Sequence, residues 1–145
     1  MAKMLDLIEK ILRGEIPPPP VARLIGFNLT EIRAGEAVVE FEATEAHANP
    51  MGTLHGGVLC DIADAAMGLA YAAALDEDES FTTLELKINF LKPVWRGKLR
   101  AVGRVVKQGR TVSLVECDIT DDQGALVARA NSTCMTLRGE QSRGR

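Results

Sequence analysis

In the stretch HANPMGTLHGGVLCDIADAAMGLAYAAAL, residues 47–75, His55 stands directly before Gly56 and Gly57, and Asp61 and Asp64 follow inside a run of alanines and leucines. The glycine pair falls where a loop should become a helix. The first N–H groups of a helix have no intrahelical acceptor and lie at the positive end of its dipole. Such donors suit a carbonyl oxygen that gains negative charge in a transition state, where one well-aimed N–H contributes about 3 kcal/mol. Glycine lets a substrate come close to the backbone. The pair alternatively serves a tight turn and nothing more. Asn49 offers a side-chain amide, either as a second donor to the same carbonyl or as the brace of the loop before Pro50. His55 reads either as a capping or bracing residue or as a participant in the chemistry.

The aspartates carry the other half of the chemistry. A carboxylate in an apolar helix with no basic partner nearby in sequence is a site candidate, and burial is expected to raise its pKa. It can act as general base on water or attack a carbonyl carbon itself. Asp61 and Asp64 are three residues apart and share one helix face, so periodicity does not choose between them. Gly56 and Asp64 are eight residues apart, about 12 Å along a helix at 1.5 Å per residue. They cannot both reach one carbonyl from the same helix. A second helix running the opposite way, supplied by a two-fold-related subunit, resolves the distance.

The elements that must hold these residues are legible around them. Met4, Leu5, Ile8, Ile11 and Leu12 recur at helical spacing, and Gly14 with the prolines of IPPPP ends that helix. A short extended connector should follow. FNLTEIRAGEAVVEFEAT reads as a β-hairpin turning at Ala34-Gly35. From Gly56 or Gly57 to about Leu75 the alanines and the lack of proline predict a helix of about five turns, apolar nearly all round and so wrapped by protein. Four strand-like runs follow, FTTLELKINFLKPV, GKLRAVGRVVKQG, RTVSLVECDITDDQG and ALVARANSTCMTLRG, with hairpin turns at Gly109 and Gly124. A long helix followed by four strands and preceded by a hairpin points to an α+β fold in which an antiparallel sheet wraps the helix. The expected organisation is an N-terminal helix and Pro-rich connector over 1–20, one domain over 21–138, and a disordered tail over 139–145.

Composition narrows the function classes. A chain of 145 residues, 46% hydrophobic and 26% charged, has the size of one domain with one core. Its formal net charge of −3 argues against a broad nucleic-acid footprint. Cys60, Cys117 and Cys134 are scattered in apolar segments, so free thiols are expected, with neither a metal site nor a disulfide. No nucleotide-binding glycine loop and no metal-ligand constellation is present in the sequence, and no cofactor is expected. The N-terminus reads as an amphipathic helix rather than a secretory leader, and Asp61 and Asp64 make the Ala-rich run a poor membrane span. A cytoplasmic protein without membrane partners is the resulting expectation.

NPMGTLHGGVLCDIAD, followed by TLELKINFLKPV and VVKQGRTVSLVECDI, resembles the hotdog-fold acyl-CoA thioesterases. The likeness is to the phenylacetate-pathway (PaaI-like) type of the 4-hydroxybenzoyl-CoA thioesterase superfamily and spans about Val21 to Leu137. It implies an antiparallel sheet around a central helix and hydrolysis of aryl-acyl or medium-chain acyl-CoA. It also implies that the catalytic acid lies fifteen residues after the asparagine, which here takes Asn49 to Asp64 and leaves Asp61 a structural carboxylate near the helix start. Asn49, His55 and Gly56 belong to the motif that carries the likeness, Asn-x-x-Gly-x-x-His-Gly-Gly, with Gly56 N–H and Asn49 expected to polarise the carbonyl and His55 left as brace or participant. Thr83 falls where family members often carry a hydroxyl beside the acid. Lys107, Gly109 and Arg110, around the turn of VVKQGR, read either as a place to meet coenzyme A phosphates by charge-assisted hydrogen bonds or as solvated hairpin residues. The family's assemblies imply a homo-oligomer with shared active sites, a dimer or a tetramer built as a dimer of dimers. Two other readings remain open: a hydratase or dehydratase using His55 as base on an acyl thioester, and a non-catalytic acyl-CoA-binding protein.

Overall fold

The computed structural model describes residues 3–144. The first two positions of the expected N-terminal helix and the last residue of the expected tail lie outside them. Six strands form one antiparallel sheet: β1 (Phe27–Arg33), β2 (Glu36–Ala43), β3 (Glu79–Phe90), β4 (Gly97–Gln108), β5 (Val112–Asp121) and β6 (Leu126–Arg138), in the spatial order β1-β2-β4-β5-β6-β3. The β1–β2 turn uses Gly35 at φ +80°, a left-handed conformation that glycine adopts freely. On β5 the residues alternate, with Ser113, Val115, Cys117 and Ile119 buried and Val112, Leu114 and Glu116 exposed.

The helix α3 (Gly56–Ala72) lies across the buried face. Ile62, Ala63, Ala66, Met67 and Tyr71 pack against Val39, Phe41, Ala101, Val115 and Ala130. Small residues set the spacing of helix and sheet: a Cβ on Gly103 of β4 would stand 2.3 Å from the backbone oxygen of Ala66. Hydrogen bonds of the last turn continue the chain through Leu75, where the sequence places the end of the helix. The three cysteines are free.

Three expectations change. The helix is not wrapped on every side: Gly57, Asp61 and Asp64 form a stripe facing away from the sheet, and both aspartates are exposed on the single chain. Their common face is the one stripe that the sheet does not reach. The connector after the prolines is not extended. Pro20–Ile25 form a short helix, α2, because the fixed φ of Pro20 suits a first helical position, and Gly26 at φ +95° closes it by donating to Ala22 O at 2.8 Å. The Gly139–Ser142 segment, expected to fray, forms a 3-10 turn.

The N-terminal helix α1 (Lys3–Leu12) rests against β1 and α3. At the opposite edge of the sheet β3 has no strand partner among the described residues along its outer side, and its Leu84 and Phe90 are more than half exposed.

Candidate active site

The loop before α3 is built around Asn49. Its Oδ1 accepts from the N–H groups of Met51 at 3.0 Å and Thr53 at 3.2 Å, and its amide donates to Thr53 Oγ1 at 2.8 Å. Asn49 therefore braces the loop, the second of the two roles its position allows. Gly52 at φ +89° completes the turn.

His55 is the N-cap of α3. Its Nδ1 accepts from Gly57 N–H at 2.8 Å, and Val58 N–H donates to its carbonyl at 3.0 Å. The Gly56 N–H has no such partner among the described residues. It opens onto a cleft of about 430 Å³ whose walls include Asn49, Thr53, Leu59, Phe90 and Lys92. The ring of Phe90 lies against Gly56, where a Cβ would stand 2.9 Å from its Cζ. Nothing in the sequence singles out Phe90, because NFLKP reads only as the end of a strand. Thr53 was detectable as the partner that an asparagine turn requires. The other histidine, His47, is structural: its Nδ1 accepts from Thr44 N–H at 3.1 Å and its Nε2 lies 2.8 Å from Ile25 O.

Asp64 makes no hydrogen bond or ion pair among the described residues. Although exposed on the single chain, it is crowded enough that lost hydration raises its pKa above the ordinary carboxylate value, and the charge of Asp61 raises it further. The Cys134 thiol is pushed up first by burial and also by the charge of Asp64. Thr83 Oγ1 lies 3.9 Å from Cys134 Sγ. Asp64, Cys134 and Thr83 thus share one neighbourhood within the chain, at the middle of α3 and away from the Gly56 cleft.

Lys107, Gly109 and Arg110 lie elsewhere again. The β4–β5 turn that carries them is tied to the C-terminal end of α3, where Gln108 Nε2 donates to Ala74 O at 3.4 Å. The seventeen residues from Gly56 to Ala72 span about 25 Å, so this turn and Gly56 occupy opposite ends of one helix. Lys107 and Arg110 are exposed, and neither forms an ion pair among the described residues. Gly109 spends its N–H on Ser113 Oγ at 3.2 Å, and its own contribution is to the turn.

The sequence profile of the thioesterase superfamily matches residues 51–128, from the loop before α3 to the start of β6. The chain belongs to the thioesterase superfamily. Its similarity to a 1,4-dihydroxy-2-naphthoyl-CoA hydrolase of Listeria monocytogenes is 31% identity over 75% of this chain and 89% of that one. Human acyl-coenzyme A thioesterase 13 is 24% identical over 92% of this chain and 96% of its own. Among solved structures, a phenylacetic acid degradation-related protein of Ralstonia eutropha JMP134 superimposes with a TM-score of 0.79 at 36% identity, covering 88% of this chain and 97% of that one. Within this superfamily the sheet curled around α3 is the hotdog fold. The reaction class is thioester hydrolysis. No helix among the described residues is long and apolar enough to cross a membrane.

Proposed function

We propose that this thioesterase hydrolyses acyl-CoA, with Asp64 as the working carboxylate and the Gly56 N–H as the oxyanion donor. The observation that carries the reading is the complementary incompleteness of two places on α3. Gly56, whose N–H has no partner among the described residues, lines a cleft, and Asp64, about 12 Å along the same helix, has no hydrogen-bond or ion-pair partner among them. A second copy packed with its α3 antiparallel brings the Asp64 of one subunit to the Gly56 of the other. The open stripe of Gly57, Asp61 and Asp64 leaves room for that pairing, and the unpaired edge of β3 with its exposed Leu84 and Phe90 supplies hydrogen-bonding and apolar surface.

In this arrangement the thioester carbonyl of the substrate accepts from Gly56 N–H, and the helix dipole favours the charge that develops on its oxygen. His55, which accepts at Nδ1 from Gly57, carries its ring proton on Nε2 when neutral and presents a donor. That tautomer counts against the hydratase reading, which needs an acceptor there. Asp64 takes a proton from water, whose oxygen attacks the carbonyl carbon, or attacks that carbon itself to give an anhydride that water then hydrolyses. Thr83 orients the attacking group, the C–S bond breaks, and the sulfur takes up a proton and leaves as coenzyme A. Lys107 and Arg110 meet the phosphates by charge-assisted hydrogen bonds, across the subunit boundary from their own Gly56. Aryl-acyl and medium-chain acyl groups are the proposed substrates, in a cytoplasmic dimer or dimer of dimers.

Thiol release from a panel of aryl-acyl and straight-chain acyl-CoAs, with Asp64→Asn as the blank, tests the reading. Turnover of at least one class, absent in the variant, supports it. Binding of the panel without thiol release by the wild type, or hydration of an enoyl-CoA in its place, overturns it.

A further inference from the structure

A continuous polar chain crosses the core and ends on the β4–β5 turn. Gly109 N–H donates to Ser113 Oγ at 3.2 Å, Ser113 Oγ donates to Tyr71 Oη at 3.0 Å, and Tyr71 Oη lies 2.5 Å from Thr136 Oγ1. The Thr136 N–H returns to the turn by donating to Thr111 O at 2.8 Å. The tyrosine oxygen accepts from Ser113 and shares a hydrogen bond with Thr136, so it ties the β5 and β6 hydroxyls together. Tyr71 is fully buried, Ser113 and Thr136 nearly so, and the ring of Phe81 meets that of Tyr71 edge-on at 5.3 Å.

Apolar side chains of similar volume would fill this space without any requirement for paired hydroxyls. What the hydroxyls add is a fixed location for the backbone at Gly109 and Thr111, the two residues flanking Arg110. The turn is otherwise exposed, and its two cations form no ion pair among the described residues.

We propose that the Tyr71 hydroxyl is a positioning group for coenzyme A: through Ser113 and Thr136 it holds the β4–β5 turn in the one conformation that aims Lys107 and Arg110 at the phosphates. The inference rests on the proposed phosphate role of that turn. Tyr71 touches no substrate. It acts by removing, before binding, the conformational freedom that the turn would otherwise lose on binding.

The test compares two thioesters of one acyl group, the best acyl-CoA of the panel and the corresponding acyl-pantetheine, which lacks the phosphates. Tyr71→Phe is expected to raise KM for the acyl-CoA by about fivefold with kcat within about twofold, leaving kcat/KM for the acyl-pantetheine within about twofold. Lys107→Ala/Arg110→Ala is the reference and should show the same split more strongly. Ser113→Ala cuts the chain nearer the turn without touching the Tyr71 ring, and it carries the test alone should Tyr71→Phe fail to fold. Equal losses on both thioesters, or no loss on either, in Tyr71→Phe or Ser113→Ala overturn the positioning role while leaving the phosphate reading intact. If the reference variant shows no split, the phosphate reading of the turn falls, and the positioning role with it.

Discussion

His55 Nδ1 accepts the Gly57 N–H at 2.8 Å, and this single bond leaves Gly56 as the unsatisfied donor at the head of α3. A Cβ on Gly57 would stand 2.9 Å from that nitrogen, so the second glycine of the pair is what lets the histidine fold back. As a cap, His55 is worth about 1 kcal/mol. Urea denaturation is expected to show that loss in His55→Ala and most of it restored in His55→Asn. In kinetics His55→Gln should lower activity less than Asp64→Asn does. Complete inactivation with an intact fold would instead place the histidine in the chemistry.

Asp64→Asn removes a base without removing volume. It is expected to cut kcat by about 10² to 10⁴ with binding preserved, whereas Asp61→Asn stays within about tenfold of the wild type. The pH profile gives a second check. Lost hydration and then the Asp61 charge raise the Asp64 pKa, so the carboxylate ionises only at higher pH and the acid limb of kcat/KM lies above the ordinary carboxylate range. Removing the neighbouring charge favours the ionised form, and the limb of Asp61→Asn moves to lower pH. A limb that stays in place separates the measured ionisation from Asp64.

A shared site predicts complementation. Gly56→Ala subunits, which keep the N–H but set a methyl in the cleft, and Asp64→Asn subunits, each of reduced activity alone, are mixed under conditions that exchange dimers. Half of the dimers are then mixed, each with one intact site, which recovers about a quarter of the wild-type rate per subunit. Native mass spectrometry establishes that heterodimers are present. Background activity in their presence would place Asp64 outside the partner's site.

Two glycine substitutions should separate binding from folding. In Gly56→Ala the nearest atoms to the new Cβ belong to the exposed ring of Phe90, which can swing aside into the cleft, so the melting temperature should stay near that of the wild type while the methyl and the displaced ring lower activity. In Gly103→Ala it meets the Ala66 carbonyl at 2.3 Å, and α3 must lift from β4. A loss of about 3 kcal/mol is expected there by chemical denaturation.

The alternation on β5, the turn at Gly35 and the proline-free alanine run made the strands, the hairpin and α3 readable from residue types alone, because each follows from a period or a backbone requirement internal to its segment. The misread features depend on what lies across the fold. Pro20 hid a helix start among three other prolines. The exposure of Asp61 and Asp64 depends on which face of α3 the sheet leaves open, and alanine composition carries no such information. Lys107 and Arg110 were readable as turn cations, but their separation from Gly56 by the length of α3 appears only once β4 is laid against the helix. The Tyr71, Ser113 and Thr136 hydroxyls come from three distant segments with no common motif.

The sheet order has a consequence for biosynthesis. β6 follows every other strand along the chain yet lies inside the sheet, between β5 and β3, with Phe81 paired to Thr136. A nascent chain that has emerged only as far as β5 can close β1, β2, β4 and β5 over α3, but it leaves β3 with no neighbour on either side. Until the last strand leaves the ribosome, β3 and the flank of α3 beside it are the surfaces open to chaperones and to misassociation between polysome neighbours. Insertion of β6 is then a single closing event, and it completes the sheet and the Tyr71–Thr136 link in the same step.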